Sequence, residues 1–307
     1  MGGMKKFSIW ILSSIIALVL LDVAFGKAFA WYVRNCNLNG EFRNLDYLVK
    51  DAHEDVIILG SSVALQDINP NILSDSLGMS VFNGAAIDES IAYHLAALKM
   101  LVAHHSPKII IFGEPPYSYL SDETGWRINM LTPYYGLGFP YVDSVLVENE
   151  KRAPWLMKSS LYRLNREWFR MLLFNFVNPY KDAKNGFIGL PKVDVKLDYN
   201  DASFRPKMND IREVQLREFA QICKEHSIKL IFCFPPVYGY SDVDFSTTEM
   251  HAQIQSIVND CGGTFIDHLT STPLSKDATL FYDHIHLNVE GATAYTKLLS
   301  FSLKQYK

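Results

Sequence analysis

Two short stretches of this chain hold side chains that could do covalent chemistry together: Gly60-Ser61-Ser62 and Asp283-His284-Ile285-His286. A serine hydroxyl is a poor nucleophile until an imidazole takes its proton. The imidazole in turn needs a carboxylate to fix its tautomer and stabilise its charged form. Asp283 and His286 can supply orienter and base from one loop, which leaves Ser62 as the nucleophile. Either stretch alone says little, since a glycine followed by two serines is ordinarily turn chemistry. Their weight comes from position, one after the first strand and the other just before the last helix. Glu114, Tyr117 and Tyr238 follow strand ends and are candidate substrate contacts, with a loop charge or simple packing as the plainer alternative.

Two other chemistries fit less well. Asp283, His284 and His286, with Asp267 and His268, could be read as metal ligands. His284 and His286 would face the same way only in an extended segment, and no third ligand stands at helical spacing, so no metal or other cofactor is expected. Gly60-x-Ser62-x-Ala64 brushes the nucleophile elbow of α/β-hydrolases. That elbow needs a helix straight after the serine and an acid far from the histidine. Asn69-Pro70 puts the expected helix start several residues later, and the acid lies three positions from the histidine, so the elbow is not expected.

These residues must be positioned by a scaffold, and the sequence outlines one. Short apolar runs at 55–60, 79–82, 108–113, 229–234 and 264–267 read as buried strands, several closed by glycine or Pro-Pro. Between them lie helical patterns. Asn69 precedes Pro70 as a cap, and Asp88 is the expected cap of a helix with Ile91, Leu95, Leu98 and Val102 on one face. Asn209 caps a helix with Leu216, Phe219, Ala220 and Cys223 in register, another helix runs from about Thr248 to Cys261, and the last starts near Asn288. Alternating strands and helices predict an α/β fold, a doubly wound five-stranded parallel sheet of flavodoxin-like order, with its reactive crevice beyond the carboxyl ends of the strands. Residues 117–205 break the rhythm and read as an aromatic-rich insertion after strand three, with a helix between about Trp155 and Phe176. The insertion could wall or lid a site, although an aromatic stripe such as Tyr162, Trp168, Phe169 and Phe174 is more often packing.

The chain has 307 residues, a net charge of −4 and 49% hydrophobic residues, an ordinary globular profile without a basic face for nucleic acid. Lys5 and Lys6 precede an apolar stretch that runs from Phe7 past Asp22 to Gly26, long enough to span a bilayer. Residues 1–30 are therefore expected to be an N-terminal transmembrane helix or signal anchor, 31–54 a linker and 55–307 the α/β domain. Ala28-Phe29-Ala30 would suit a signal peptidase and offers the cleaved alternative. Both place the rest of the chain outside the cytoplasm. Cys36, Cys223, Cys233 and Cys261 lack metal spacing and read as buried thiols.

The order of these motifs resembles the SGNH/GDSL hydrolase superfamily. Gly60-Ser61-Ser62 stands for its Gly-Asp-Ser block, with serine in the middle position, and Asp283 to His286 followed by Leu287-Asn288 for its final Asp-x-x-His block. The resemblance covers most of residues 55–305, apart from the insertion, and implies Ser62 as nucleophile, His286 as general base and Asp283 as its partner. It also implies an oxyanion hole, here from the backbone of Ser62, Gly84 and Asn83. Where the family carries an asparagine donor after strand three, this chain has Gly113-Glu114-Pro115-Pro116. The Gly-Ser-Ser variant, the anchor and Pro235-Pro236-Val237-Tyr238 look more like the membrane-anchored bacterial envelope branch. That branch implies an exported esterase or O-acyltransferase acting on acyl, chiefly acetyl, esters of a cell-envelope glycan. The alternative is a catalytically silent module that binds glycan or assists a membrane acyltransferase.

Overall fold

The computed structural model describes residues 2–35, 41–120, 126–164, 169, 172, 173, 177, 183–193, 208–238 and 248–306. Two compact units emerge, Met1–Leu38 with Asn129–Pro179, and Asn39–Ile128 with Tyr180–Lys307.

The larger unit is built on five parallel strands, β1 (Val56–Gly60), β2 (Val81–Asn83), β3 (Ile109–Gly113), β4 (Lys229–Phe234) and β5 (Thr264–Asp267), in the order β2-β1-β3-β4-β5. This is the flavodoxin-like order. β1 and β3 are buried at every position, because a parallel sheet carries helices on both faces and its central strands meet no water. Helices α3 (Ser62–Asp67), α4 (Pro70–Leu77) and the final helix share one face. There Ala64, Leu65, Ile68, Leu73 and Leu77 meet Ile58, Ile111, Ile231, Tyr295 and Leu299. The opposite face carries α5 (Ile91–Val102) and a helix at Asp210–Glu225, with Phe112 against Phe219 and Phe232. Asn69, Asn209 and Asn288 each accept hydrogen bonds from the first N–H groups of the helices they precede.

Local structure departs from the sequence expectation in four places. A helix does start straight after β1, at Ser62 itself; its six residues before the Asn69-Pro70 break are too few to show a periodicity. Ser90, not Asp88, stands before α5, and Asp88 adopts a left-handed φ of 56° in the preceding turn. The segment expected to be a linker holds α2 (Glu41–Lys50), whose Leu45 and Leu48 are buried and which packs on α5. The single helix expected near 155–176 is broken into α7 (Ala153–Leu156) and α8 (Ser160–Leu164), after α6 (Pro140–Asn149). Most of residues 165–182, with Trp168 and Phe174, lie outside the described residues, as does Cys36.

The smaller unit contains α1 (Gly2–Asn35), within which Gly3–Tyr32 is long and apolar enough to cross a membrane. Its Ser8, Ser13 and Ser14 hydroxyls donate to carbonyls one turn back, which satisfies them within the helix. From Asp22 onward α1 has a face. Asp22, Phe25, Gly26 and Phe29 fall at i, i+3, i+4 and i+7 and are shielded where their neighbours are exposed. The segment packed there is α8.

Candidate active site

β1 ends in Gly60, whose φ of 124° is open only to glycine and whose Cβ, if present, would lie 2.0 Å from the Gly113 carbonyl oxygen. This kink turns the chain from the strand into α3 and presents Ser62 at the helix start. The final helix begins after Asn288, and the loop before it brings up the other partners. Ser62 Oγ lies 2.7 Å from His286 Nε2. His286 Nδ1 lies 2.9 and 3.0 Å from the two Asp283 carboxylate oxygens. An Nδ1–H facing a carboxylate leaves the Nε2 lone pair toward the serine, the tautomer that proton abstraction requires. Serine, imidazole and carboxylate therefore form one hydrogen-bonded line.

Asp283 also shapes its own loop. One of its oxygens accepts the N–H groups of Ile285 and His286, both at 2.8 Å. Partial burial opposes ionisation, but these bonds and the His286 ring outweigh it and hold the carboxyl below the ordinary range. It is an anion at neutral pH.

Three features could not be read from the sequence. The first is Asp67, fully buried at the end of α3, whose carboxyl accepts the Leu287 N–H at 2.9 Å. It ties the helix that carries Ser62 to the loop that carries His286. Burial, with Asp283 nearby, pushes its carboxyl well above the ordinary range. The second is Tyr238, expected as a substrate contact, which instead packs on Phe281 and stacks on the His284 ring. Its N–H donates to the His284 carbonyl, so it braces the histidine loop.

The third is the state of the expected oxyanion donors. Gly84 N–H is taken by the Ile58 carbonyl at 2.8 Å, because the ladder between β2 and β1 runs one residue past the strand. Asn83 N–H goes to the Asn185 carbonyl, and its side-chain amide to the Ala64 and Ile68 carbonyls at 2.8 and 3.0 Å. Neither residue can serve as a donor in this arrangement, which corrects that expectation. The Ser62 N–H has no partner among the described residues and remains available. Pro115 and Pro116 offer no N–H after β3.

Glu114 likewise does not face a substrate. It is wholly buried, with its carboxyl 3.9 Å from His94 Nε2 and the Ser61 and Ser118 hydroxyls and Arg212 around it. Burial pushes Glu114 up to about 8 against the pull of these neighbours, and pushes His94 down to about 3, so both are neutral at pH 7. Their ring and carboxyl atoms, with Ser61 Oγ, close no hydrogen bond among the described residues. Such a group of open polar atoms has the chemistry to hold internal water. Tyr117 is the one expected substrate contact that stays exposed, on the turn Pro116–Tyr119.

No family model and no curated protein matches the chain. Among solved structures it is similar to a proposed acylhydrolase from Bacteroides fragilis, at 10% identity and a TM-score of 0.43, over 86% of this chain and 95% of that one. It is also similar to a lipase/acylhydrolase from Enterococcus faecalis, at 12% identity and a TM-score of 0.40, over 82% and 96%. An acetylxylan esterase from Geobacillus stearothermophilus matches at 10% identity and a TM-score of 0.40, over 82% and 93%. Likeness at this level transfers no activity. The chain itself supplies the firmer observation, a flavodoxin-like sheet of five parallel strands with a Ser–His–Asp line across the carboxyl ends of its strands.

Proposed function

We propose that the chain is an SGNH-type serine esterase or O-acyltransferase, anchored by α1 outside the cytoplasm and acting on acetyl or similar acyl esters of a cell-envelope glycan. The observation that carries the chemistry is the 2.7 Å contact between Ser62 Oγ and His286 Nε2, continued by His286 Nδ1 to Asp283 at 2.9 Å. Ser62 Oγ attacks the ester carbonyl carbon while its proton passes to His286 Nε2. The Ser62 N–H faces the resulting oxyanion. Collapse expels the alcohol, which leaves with the proton from His286, and the acyl group stays on Ser62. Water or a sugar hydroxyl then gives its proton to His286 and attacks the acyl carbon, and His286 returns that proton to Ser62 Oγ as the acyl–serine bond breaks.

A fluorophosphonate probe tests this reading, since it bonds covalently only to an activated serine. The full chain should label, and Ser62→Ala should abolish labelling. A folded wild type that never labels would instead support the second reading, a silent module that binds glycan or assists a membrane acyltransferase. The feature that favours this alternative is the loss of Gly84 and Asn83 as donors, since each missing oxyanion donor costs on the order of 100- to 1,000-fold in rate.

A further inference from the structure

The carboxylate of Asp22, inside an apolar helix, accepts three hydrogen bonds: Ser159 Oγ at 2.7 Å and the N–H groups of Ser160 and Leu161, both at 2.8 Å. Those N–H groups open α8, where a helix has donors and no partners of its own. Asp22 thus caps α8 from another element. One turn along, Gly26 lets the two segments touch, for a Cβ there would lie 2.5 Å from Ser160 Oγ. The contact divides α1. Residues 3–21 are exposed on all sides and rise about 28 Å, close to the ~30 Å of a hydrocarbon core. Residues 22–29 carry a packing face.

The segment held there is itself apolar on the outside. Trp155 is 75% exposed and Leu161 46%. The Lys158 ammonium lies 4.3 Å from the centre of the Trp155 ring. Leu161 donates its own N–H to Asp22, so it is pinned where the all-round apolar part of α1 ends. An exposed Leu held at that level, with Lys158 and Trp155 one and four residues before Ser159, matches the headgroup zone of a bilayer, where an aromatic body and a cationic tip are both solvated.

We propose that α7 and α8 make a second membrane contact. Asp22 locks them to the end of the apolar run, and Trp155, Lys158 and Leu161 seat in the headgroup layer of the bilayer that α1 crosses. The inference rests on the anchor reading above. It also requires that residues 1–30 stay in the mature chain, because their removal would strip the cap from α8. A bilayer is favoured over a second copy of the chain because the patch adjoins the span and pairs tryptophan with a cation.

The test uses the full chain in vesicles of phosphatidylcholine with phosphatidylglycerol, with and without lipid brominated high on the acyl chain. Subtracting the spectrum of Trp155→Phe from that of the wild type isolates the Trp155 emission. The chain should float with the vesicles, its intact mass should include residues 1–30, and brominated lipid should quench the Trp155 signal. Asp22→Ala, and independently Gly26→Val, should float equally well but lose that quenching. A floating chain whose Trp155 is quenched by aqueous iodide and not by bromine overturns the second contact and leaves the anchor standing. Protection from both quenchers points to protein on the patch and overturns it as well. A chain that does not float, or that has lost its first 30 residues, overturns the anchor reading and this inference together.

Discussion

At the scale of single residues, the triad predicts how its members differ. Asp283→Asn keeps the shape of the side chain but loses the anion that fixes the His286 tautomer. We expect kcat to fall roughly 1,000- to 10,000-fold with KM little changed, measured with a chromogenic acetyl ester. An unchanged kcat would remove Asp283 from the mechanism. Asp67 behaves differently because its role is structural. Asp67→Asn retains an acceptor for the Leu287 N–H and should fold with nearly wild-type stability. Asp67→Ala leaves that buried N–H open and should cost on the order of 1–3 kcal/mol in urea unfolding. If the two variants unfold alike, the Asp67 bridge contributes nothing.

At the scale of elements, the buried pair between β3 and α5 gives the fold a pH signature. Glu114 keeps its proton in the folded chain up to about 8, while the unfolded chain releases it above about 4.5. Stability therefore falls as pH rises across that interval. His94 stays neutral down to about 3, while the unfolded chain takes up a proton below about 6.5, so this contribution falls as pH drops. The two slopes cancel between about 4.5 and 6.5. Glu114→Gln should abolish the decline from about 6.5 to 8 and uncover a rise between about 4.5 and 6.5, read as urea midpoints across pH. A wild-type decline that survives in Glu114→Gln would assign it to another group.

The same elements show what a sequence can carry. The strands were legible because Val-Ile-Ile-Leu-Gly and Ile-Ile-Ile-Phe-Gly have no amphipathic reading, and three helix starts were legible because Asn69, Asn209 and Asn288 do a local job. The start of α3 was not, because its six residues are too few to carry a period. Long-range partners were invisible for another reason. Whether Gly84 N–H is free depends on how far β2 pairs with β1, and Asp67 meets Leu287 across a sequence separation of 220. Gly60 and Gly113 had only the look of strand-ending glycines. The carbonyl contact that forbids a side chain exists only once β1 and β3 lie side by side. Gly60→Ala should therefore lower the yield of folded chain sharply, an effect that size-exclusion chromatography would report.

At the scale of the whole molecule, the bond between Asp22 and Ser159 spans a separation of 137 residues. Chains are made at ~5–20 residues per second, so Asp22 waits roughly 7–27 s on the ribosome before its partners exist. During that wait the Ala28-Phe29-Ala30 stretch is open to a peptidase, and afterwards Phe29 is covered. Whether the leader is trimmed then becomes a race between a protease and the arrival of Ser159. Slowing translation between residues 30 and 159 should raise the trimmed fraction, and the masses of the released chains would score the race.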